Sequence, residues 1–294
     1  MKSPFIATLL CSLVACAASP PVPPAPVPYR ADPSNVPLPS ELAPLAWSCG
    51  NSADGFDDWV ESFRHDAVQK GISADLVDRA MGSVSYDASV IELDRSQKQF
   101  KRSFEEFSSS HVTPPRVRRG KQLLAAHADL LAKITTRFGV AKEIIVAIWG
   151  LETDYGKNLG STPCLRALAT LAYDCRRAER FRGELSSALR VLDRGDLAVE
   201  AFVGAWAGEI GQTQFLPSSY ERFGIDFDGD GRVDLRGSTD DALASTAHYL
   251  AEHGWHAGES YAPGTPNYAV LAEWNKSEVY RRTISLFAAK LSAR

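Results

Sequence analysis

The sequence predicts a mainly α (α+β) fold on three observations. Apolar residues recur at three- and four-residue spacing in Phe56–Ala67, Phe100–Phe107 and Leu185–Leu192, the period of helices that bury one face. Ala141–Tyr155 reads AKEIIVAIWGLETDY, too apolar on every side to face water, so it is a helix inside a core. Glycines and prolines at Gly71, Pro114, Pro115 and Gly195 punctuate these runs where helices stop. With 45% hydrophobic residues the chain has material for a sizeable core. A net charge of −4 leaves no dominant basic field, which excludes nucleic acid as the partner.

Residues 1–15 begin with one lysine and run into apolar residues, the pattern of a secretory signal peptide and too short to span a bilayer stably. Residues 16–48 are dominated by proline and read as an extended spacer without a fold of its own. An N-terminal helical region follows over residues 49–140. Phe56, Trp59, Val60, Phe63 and Ala67 share one helix face, Gly71 ends that helix and Ser73 caps the next. Phe100, Phe104 and Phe107 form an aromatic stripe read as core. Pro114 and Pro115 stop that helix, and Arg116–Phe138 reads as one long amphipathic helix whose Arg116, Arg118, Arg119 and Lys121 face solvent. The remaining core, residues 141–294, opens with the apolar helix. It continues through a turn at Gly156–Pro163, a helix to Leu171 and another over Arg177–Leu192 ended by Gly195. Ala242–His253 is read as helix, Asn267–Leu271 as a short strand and Ser277–Leu291 as the closing helix.

Two constellations carry chemistry. Glu152 stands at the end of the apolar helix, and both partial burial and the negative end of the helix dipole raise a carboxyl pKa there. A general acid working near neutrality needs a pKa of ~6–7, so Glu152 is the candidate acid. The structural alternative is an ion pair with a nearby arginine. Asp226, Asp228, Asp230 and Asp234 occupy positions one, three, five and nine of an EF-hand-like loop with Gly231 at the turn position, while Gly237 stands at position twelve where a glutamate is expected. Carboxylates this close repel one another without a cation, which points to structural Ca²⁺ and to no organic cofactor.

Cysteine usage fits an exported chain. Cys164 and Cys175, eleven residues apart, would stand ~16 Å apart along a helix, beyond the ~7 Å reach of a disulfide. Cys49 with Cys175 is the preferred pair, and three free thiols are the alternative.

WGLETDYG at Trp149–Gly156, ALATLAYDCRR at Ala167–Arg177 and GAWAGEIGQTQFLPSSY at Gly204–Tyr220 resemble three ordered blocks of the membrane-bound lytic transglycosylase B family. The resemblance runs from about Phe56 to Phe287 and implies a lysozyme-like catalytic core. It implies that Glu152 is the sole catalytic acid, with Tyr155, Arg176, Arg177, Gln214 and Asn275 on the saccharide groove beside Trp274. It also implies a calcium loop over 226–241 with Asp226, Asp228, Asp230, Arg232 and Asp241 as metal residues, and an accessory β-domain that is reduced here because the chain is short between Trp255 and Asn267. LVAC at Leu13–Cys16 resembles a lipobox, with Cys16 lipidated and the protein anchored in the periplasm, at the outer membrane.

The activity this implies is lytic transglycosylation of peptidoglycan glycan strands by a monomer, giving 1,6-anhydromuramyl products. The alternatives are a hydrolytic muramidase, which would need a second carboxylate such as Asp154 or Glu209, and a non-catalytic peptidoglycan-binding lipoprotein. Two departures from the family pattern bear on the acid. Ala205 stands where a serine hydroxyl is common and Glu209 where a small residue is common, so the acid loses a hydrogen-bond donor and gains a carboxylate neighbour, unless Glu209 pairs with an arginine such as Arg176.

Overall fold

Residues 48–96 and 102–293 are described by the computed structural model. The signal peptide over 1–15, Cys16 and the linker to residue 47 lie outside the described residues, as does Phe100. The first ten helices among the described residues are α1 (Phe56–Gln69), α2 (Ala74–Met81), α3 (Ala88–Ser96), α4 (Phe104–His111), α5 (Pro114–Ala126), α6 (Ala128–Phe138), α7 (Lys142–Thr153), α8 (Cys164–Tyr173), α9 (Ala178–Asp193) and α10 (Pro217–Phe223). The closing three are α11 (Thr239–Glu252), α12 (Pro266–Trp274) and α13 (Glu278–Ser292). Strands β1 (Thr162–Pro163) and β2 (Val203–Gly204) pair antiparallel, Thr162 against Gly204.

Local chemistry sets several boundaries. The Ser73 hydroxyl accepts from the Leu76 amide at 3.2 Å, so α2 starts with a satisfied end. Ser103 and Glu106 form a reciprocal capping box at the start of α4. Pro114 does more than stop α4: it opens α5, where a missing N–H costs nothing. The long helix expected over Arg116–Phe138 is two helices, because His127 leaves helical geometry at φ −106 and ψ 27. Asn267–Leu271 is helix, not strand, since the Thr265 hydroxyl caps it and Pro266 supplies its first position. No strand occurs between Trp255 and Asn267 among the described residues, so the reduced β-domain is absent from that stretch.

Two apolar cores form. Phe56, Trp59 and Phe63 of α1 pack with Leu76 of α2, Leu168 of α8, Leu185 of α9 and Tyr220 of α10. The second core surrounds α7, where Ile144, Ile145 and Ile148 are fully buried against Leu131 of α6, Leu243 of α11 and Phe287 of α13. Each such side chain contributes roughly 1.5–3 kcal/mol on burial, so the helix that ends in Glu152 is held from every side. The division expected at 140/141 is not a seam. α1 and α3 lie on α8, and α4 and α5 lie on α13 and α7, so early helices contribute to both cores.

Cys49 and Cys175 form a disulfide with Cα atoms 4.9 Å apart, and Cys164 is a buried free thiol. The Gly50 amide also donates to the Tyr173 carbonyl at 3.1 Å, fastening the start of the described chain to the end of α8.

Candidate active site

Three successive residues after α7 take left-handed geometry: Asp154 at φ 50, Tyr155 at φ 63 and Gly156 at φ 78. This turn reverses the chain tightly and leaves Glu152 near the helix end. The Thr153 hydroxyl, 1% exposed, donates to the Gln212 carbonyl at 2.6 Å and accepts from the Gly156 amide at 2.9 Å. Tyr155 folds back under α7, and a Cβ at Gly150 would lie 2.8 Å from its ring, so this packing requires glycine there. The turn is thereby fixed by buried contacts on both sides of Glu152.

Glu152 lies on a cleft of about 650 Å³. Trp206, Phe215, Tyr249 and Trp274 give the cleft an aromatic wall, while Arg180, Glu209, Gln214, Asn275 and Lys276 give it polar groups. The Trp274 indole donates to Glu152 Oε1 at 3.0 Å and the Tyr280 hydroxyl donates to the same oxygen at 2.7 Å. Oε2 is therefore the oxygen that can carry a proton. Burial pushes the Glu152 pKa up, the Tyr280 and Trp274 donors pull it back, and Glu209 pushes it up again, to about 7. Burial outweighs two hydrogen bonds, which leaves an acid poised for proton transfer near neutrality.

The expected groove residues divide into two groups. Gln214 and Asn275 line the cleft with Glu152. Gln214 holds φ 56 in the turn that joins Ile210 to Phe215, with its side-chain amide on the Gly211 carbonyl at 2.9 Å. Tyr155 is 5% exposed and donates to the Arg116 carbonyl at 2.7 Å, so it supports the turn from beneath. Arg176 and Arg177 do not line the cleft. Both pair with Asp94, which is 1% exposed, Arg176 through Nε at 2.7 Å and Arg177 through Nη2. A buried carboxylate needs such partners, and it consumes both guanidinium groups. Gln212, the other glutamine of the run, is 6% exposed and donates to Thr239 at 3.2 Å, which makes it an internal tie.

Sequence reasoning missed Arg180 and Tyr280. Arg180 lies one turn beyond Arg177, and only the loss of Arg177 to Asp94 turns attention to it. Tyr280 is in the first turn of α13, 128 residues from the acid it serves, and no spacing announces that contact. Asp154 pairs with Arg116 at 3.1 Å and Lys157 at 3.2 Å and does not line the cleft. Glu209 does line it.

The acidic loop gathers one carboxylate oxygen each from Asp226, Asp228 and Asp230 within 4.8 Å of one another. Hard oxygen donors at this density fit Ca²⁺. Arg232 contributes its amide to Asp230 at 2.9 Å, and its guanidinium reaches the same carboxylate at 3.5 Å. Asp241 is placed differently from the expected cluster. Its Oδ1 accepts from the Phe227 amide at 2.8 Å and its Oδ2 from the Asp234 amide at 2.8 Å, so it braces the loop against α11.

A model of the transglycosylase SLT domain matches residues 55–265. The chain is 39% identical over 170 residues to membrane-bound lytic murein transglycosylase B of Escherichia coli K12, a match covering 55% of this chain and 46% of that protein. The chain thus spans about half the length of that curated relative. Among solved structures, SltB3 of Pseudomonas aeruginosa in complex with NAG-anhNAM-pentapeptide is similar with a TM-score of 0.77 and 33% identity, over 83% of this chain and 80% of that one. The Escherichia coli lytic transglycosylase SLT35 in complex with calcium is similar with a TM-score of 0.72 and 25% identity, over 86% and 98%.

Proposed function

Because the chain belongs to the transglycosylase SLT domain family, we propose that it is a lytic transglycosylase that cleaves the MurNAc–GlcNAc β-1,4 bond of peptidoglycan and leaves a 1,6-anhydromuramyl end. The observation that carries this reading is Glu152, a carboxyl with its pKa raised to about 7 on an aromatic-walled cleft. Oε1 is occupied by Trp274 and Tyr280, so the proton leaves from Oε2. It passes to the glycosidic oxygen as the bond from the muramyl C1 breaks. The carboxylate so formed, held by the same two donors, takes the proton of the muramyl C6 hydroxyl as that oxygen closes on C1. One carboxyl serves twice and no water is consumed, unlike the two-carboxylate glycosidases.

Gln214 and Asn275 are the substrate-binding residues of this reading, while Tyr155 supports the turn beneath Glu152 and Arg176 and Arg177 stay with Asp94. Asp226, Asp228 and Asp230 would hold Ca²⁺, with Arg232 just after them in the loop and Asp241 closing it, and the ion would brace the loop rather than join the chemistry. The Escherichia coli relative is membrane-bound by name, and no helix among the described residues is long and apolar enough to cross a membrane. Lipidation at Cys16, with the monomeric enzyme in the periplasm at the outer membrane, accounts for both.

Mass spectrometry of fragments released from purified peptidoglycan tests the reaction. Anhydromuramyl ends are expected. Reducing ends, one water heavier, would replace this reading with a hydrolytic muramidase, and no release at all would leave a wall-binding lipoprotein.

A further inference from the structure

Glu209 is a second carboxyl on the cleft that holds Glu152. Its Oε2 is buried and has no hydrogen-bond partner. The arginine that might have neutralised it, Arg176, is taken by Asp94, and so is Arg177. No guanidinium or ammonium lies within ion-pair distance of Glu209 among the described residues. A carboxylate in such a place is poorly solvated, and a second one nearby makes simultaneous ionisation of both unfavourable. Ala205, also on the cleft, offers no hydroxyl to relieve it.

We propose that Glu209 is a positioning residue acting through Glu152, a second carboxyl that holds the proton on the acid before the first transfer and draws it back in the second. The inference rests on the lytic-transglycosylase reading for its two transfers. In the first, the proton of Glu152 Oε2 goes to the leaving oxygen as the C1–O bond breaks. In the second, the substrate hydroxyl gives its proton to the Glu152 carboxylate as its oxygen bonds to C1. A neighbouring negative charge favours the protonated acid at the start and makes the carboxylate a stronger base for the return.

The groups facing this pair are few. Arg177 and Arg180 attract the Glu209 charge from the α8–α9 side, and the Cys164 thiol is pushed up to about 12 by burial and then by Glu209. Tyr280 and Trp274 face Glu152 from α13 and the end of α12. Arg116 lies beyond Tyr280, and Glu273 and Lys276 on the cleft pair with each other at 2.9 Å. Burial raises the Glu209 pKa, while the amides of Glu209 and Ala207 lower it. Glu209→Gln keeps the size of the side chain and one oxygen while removing the charge.

The test is kcat/KM against pH on purified peptidoglycan. Glu209→Gln is expected to move the basic limb down by roughly half a unit to one unit in a variant that melts no lower than wild type, since a buried carboxyl has been replaced by an amide. A limb superimposable on wild type in a folded, active variant overturns the inference and leaves the proposed reaction standing. If that variant does not fold, the wild-type protein decides. With the glutamate carboxyls labelled by carbon-13 and the Glu152 resonance identified by its loss in Glu152→Gln, that resonance should shift in two steps as pH rises from acid through neutrality, its own ionisation and its neighbour's, and a single step overturns the inference. Wild type inactive on peptidoglycan would instead remove the lytic reading, with the titration of the Glu152 resonance unaffected.

Discussion

At Glu152 burial favours the acid while Tyr280 and Trp274 favour the carboxylate, and the resulting pKa of about 7 against the ordinary 4.5 bears on stability and, in the proposed mechanism, on rate. Glu152→Gln should lower turnover ~10²–10⁴-fold or more while fragments still bind; near-wild-type turnover would remove Glu152 from its role. The same variant should be more stable than wild type, in a pH-dependent way. The folded state keeps a proton that the unfolded chain releases above about pH 4.5, so wild-type stability falls as pH rises through the interval up to about 7. The melting-temperature gap between variant and wild type should open across that interval, to a ceiling of about 3 kcal/mol, and a gap constant with pH would contradict the raised pKa. Ala205→Ser should show in the rate profile, because a hydroxyl donating to the ionised acid lowers its pKa and moves the basic limb of kcat/KM downward. An unmoved limb would mean that the new hydroxyl does not reach the acid. Glu152 was legible in the sequence because an all-apolar helix ending in a carboxylate has few bland explanations. The arginines were not: Arg176 and Arg177 satisfy a buried aspartate 82 and 83 residues away in sequence, and a linear reading cannot weigh that demand against the groove.

The elements around the site show where local signals suffice and where they do not. Ser73 and Gly195 mark their helix ends as the sequence reading requires, because caps and left-handed glycines act within a turn. The break at His127 carries no glycine or proline, and the chain there turns so that α5 and α6 can both reach α7. Asn267–Leu271 looked like a strand because short apolar runs do not distinguish the two states, and Thr265–Pro266 settles it as helix. The loop from Asp226 to Asp241 yields a prediction at this scale. It joins α10 to α11, and Asp241 is fully buried at the start of α11. If Ca²⁺ neutralises the three outer carboxylates, excess chelator should lower the melting temperature by linkage without altering the product pattern. An unchanged melting curve, with no metal in the purified protein, would reject the ion.

Across the molecule the mainly α class was readable from periodicity, whereas the seam at 140/141 was not there to be read. Helices distant in sequence share each core, and sequence order says little about which cores they join. The disulfide between Cys49 and Cys175 closes a loop over a separation of 126 residues. Cys49→Ser should destabilise the protein by about 2–5 kcal/mol, measured as a shift in denaturant midpoint, and wild type in excess reductant should match it. Equal midpoints in all three would show that the link adds nothing to stability. Its position has a mechanical consequence as well. Tension applied to the chain before residue 48 enters the fold at Cys49 and passes directly to Cys175, between α8 and α9, rather than peeling α1 away from its end. A protein tethered by its N-terminus and working on a taut polymer would then take the load at the junction of α8 and α9, with the cleft downstream of the clamp.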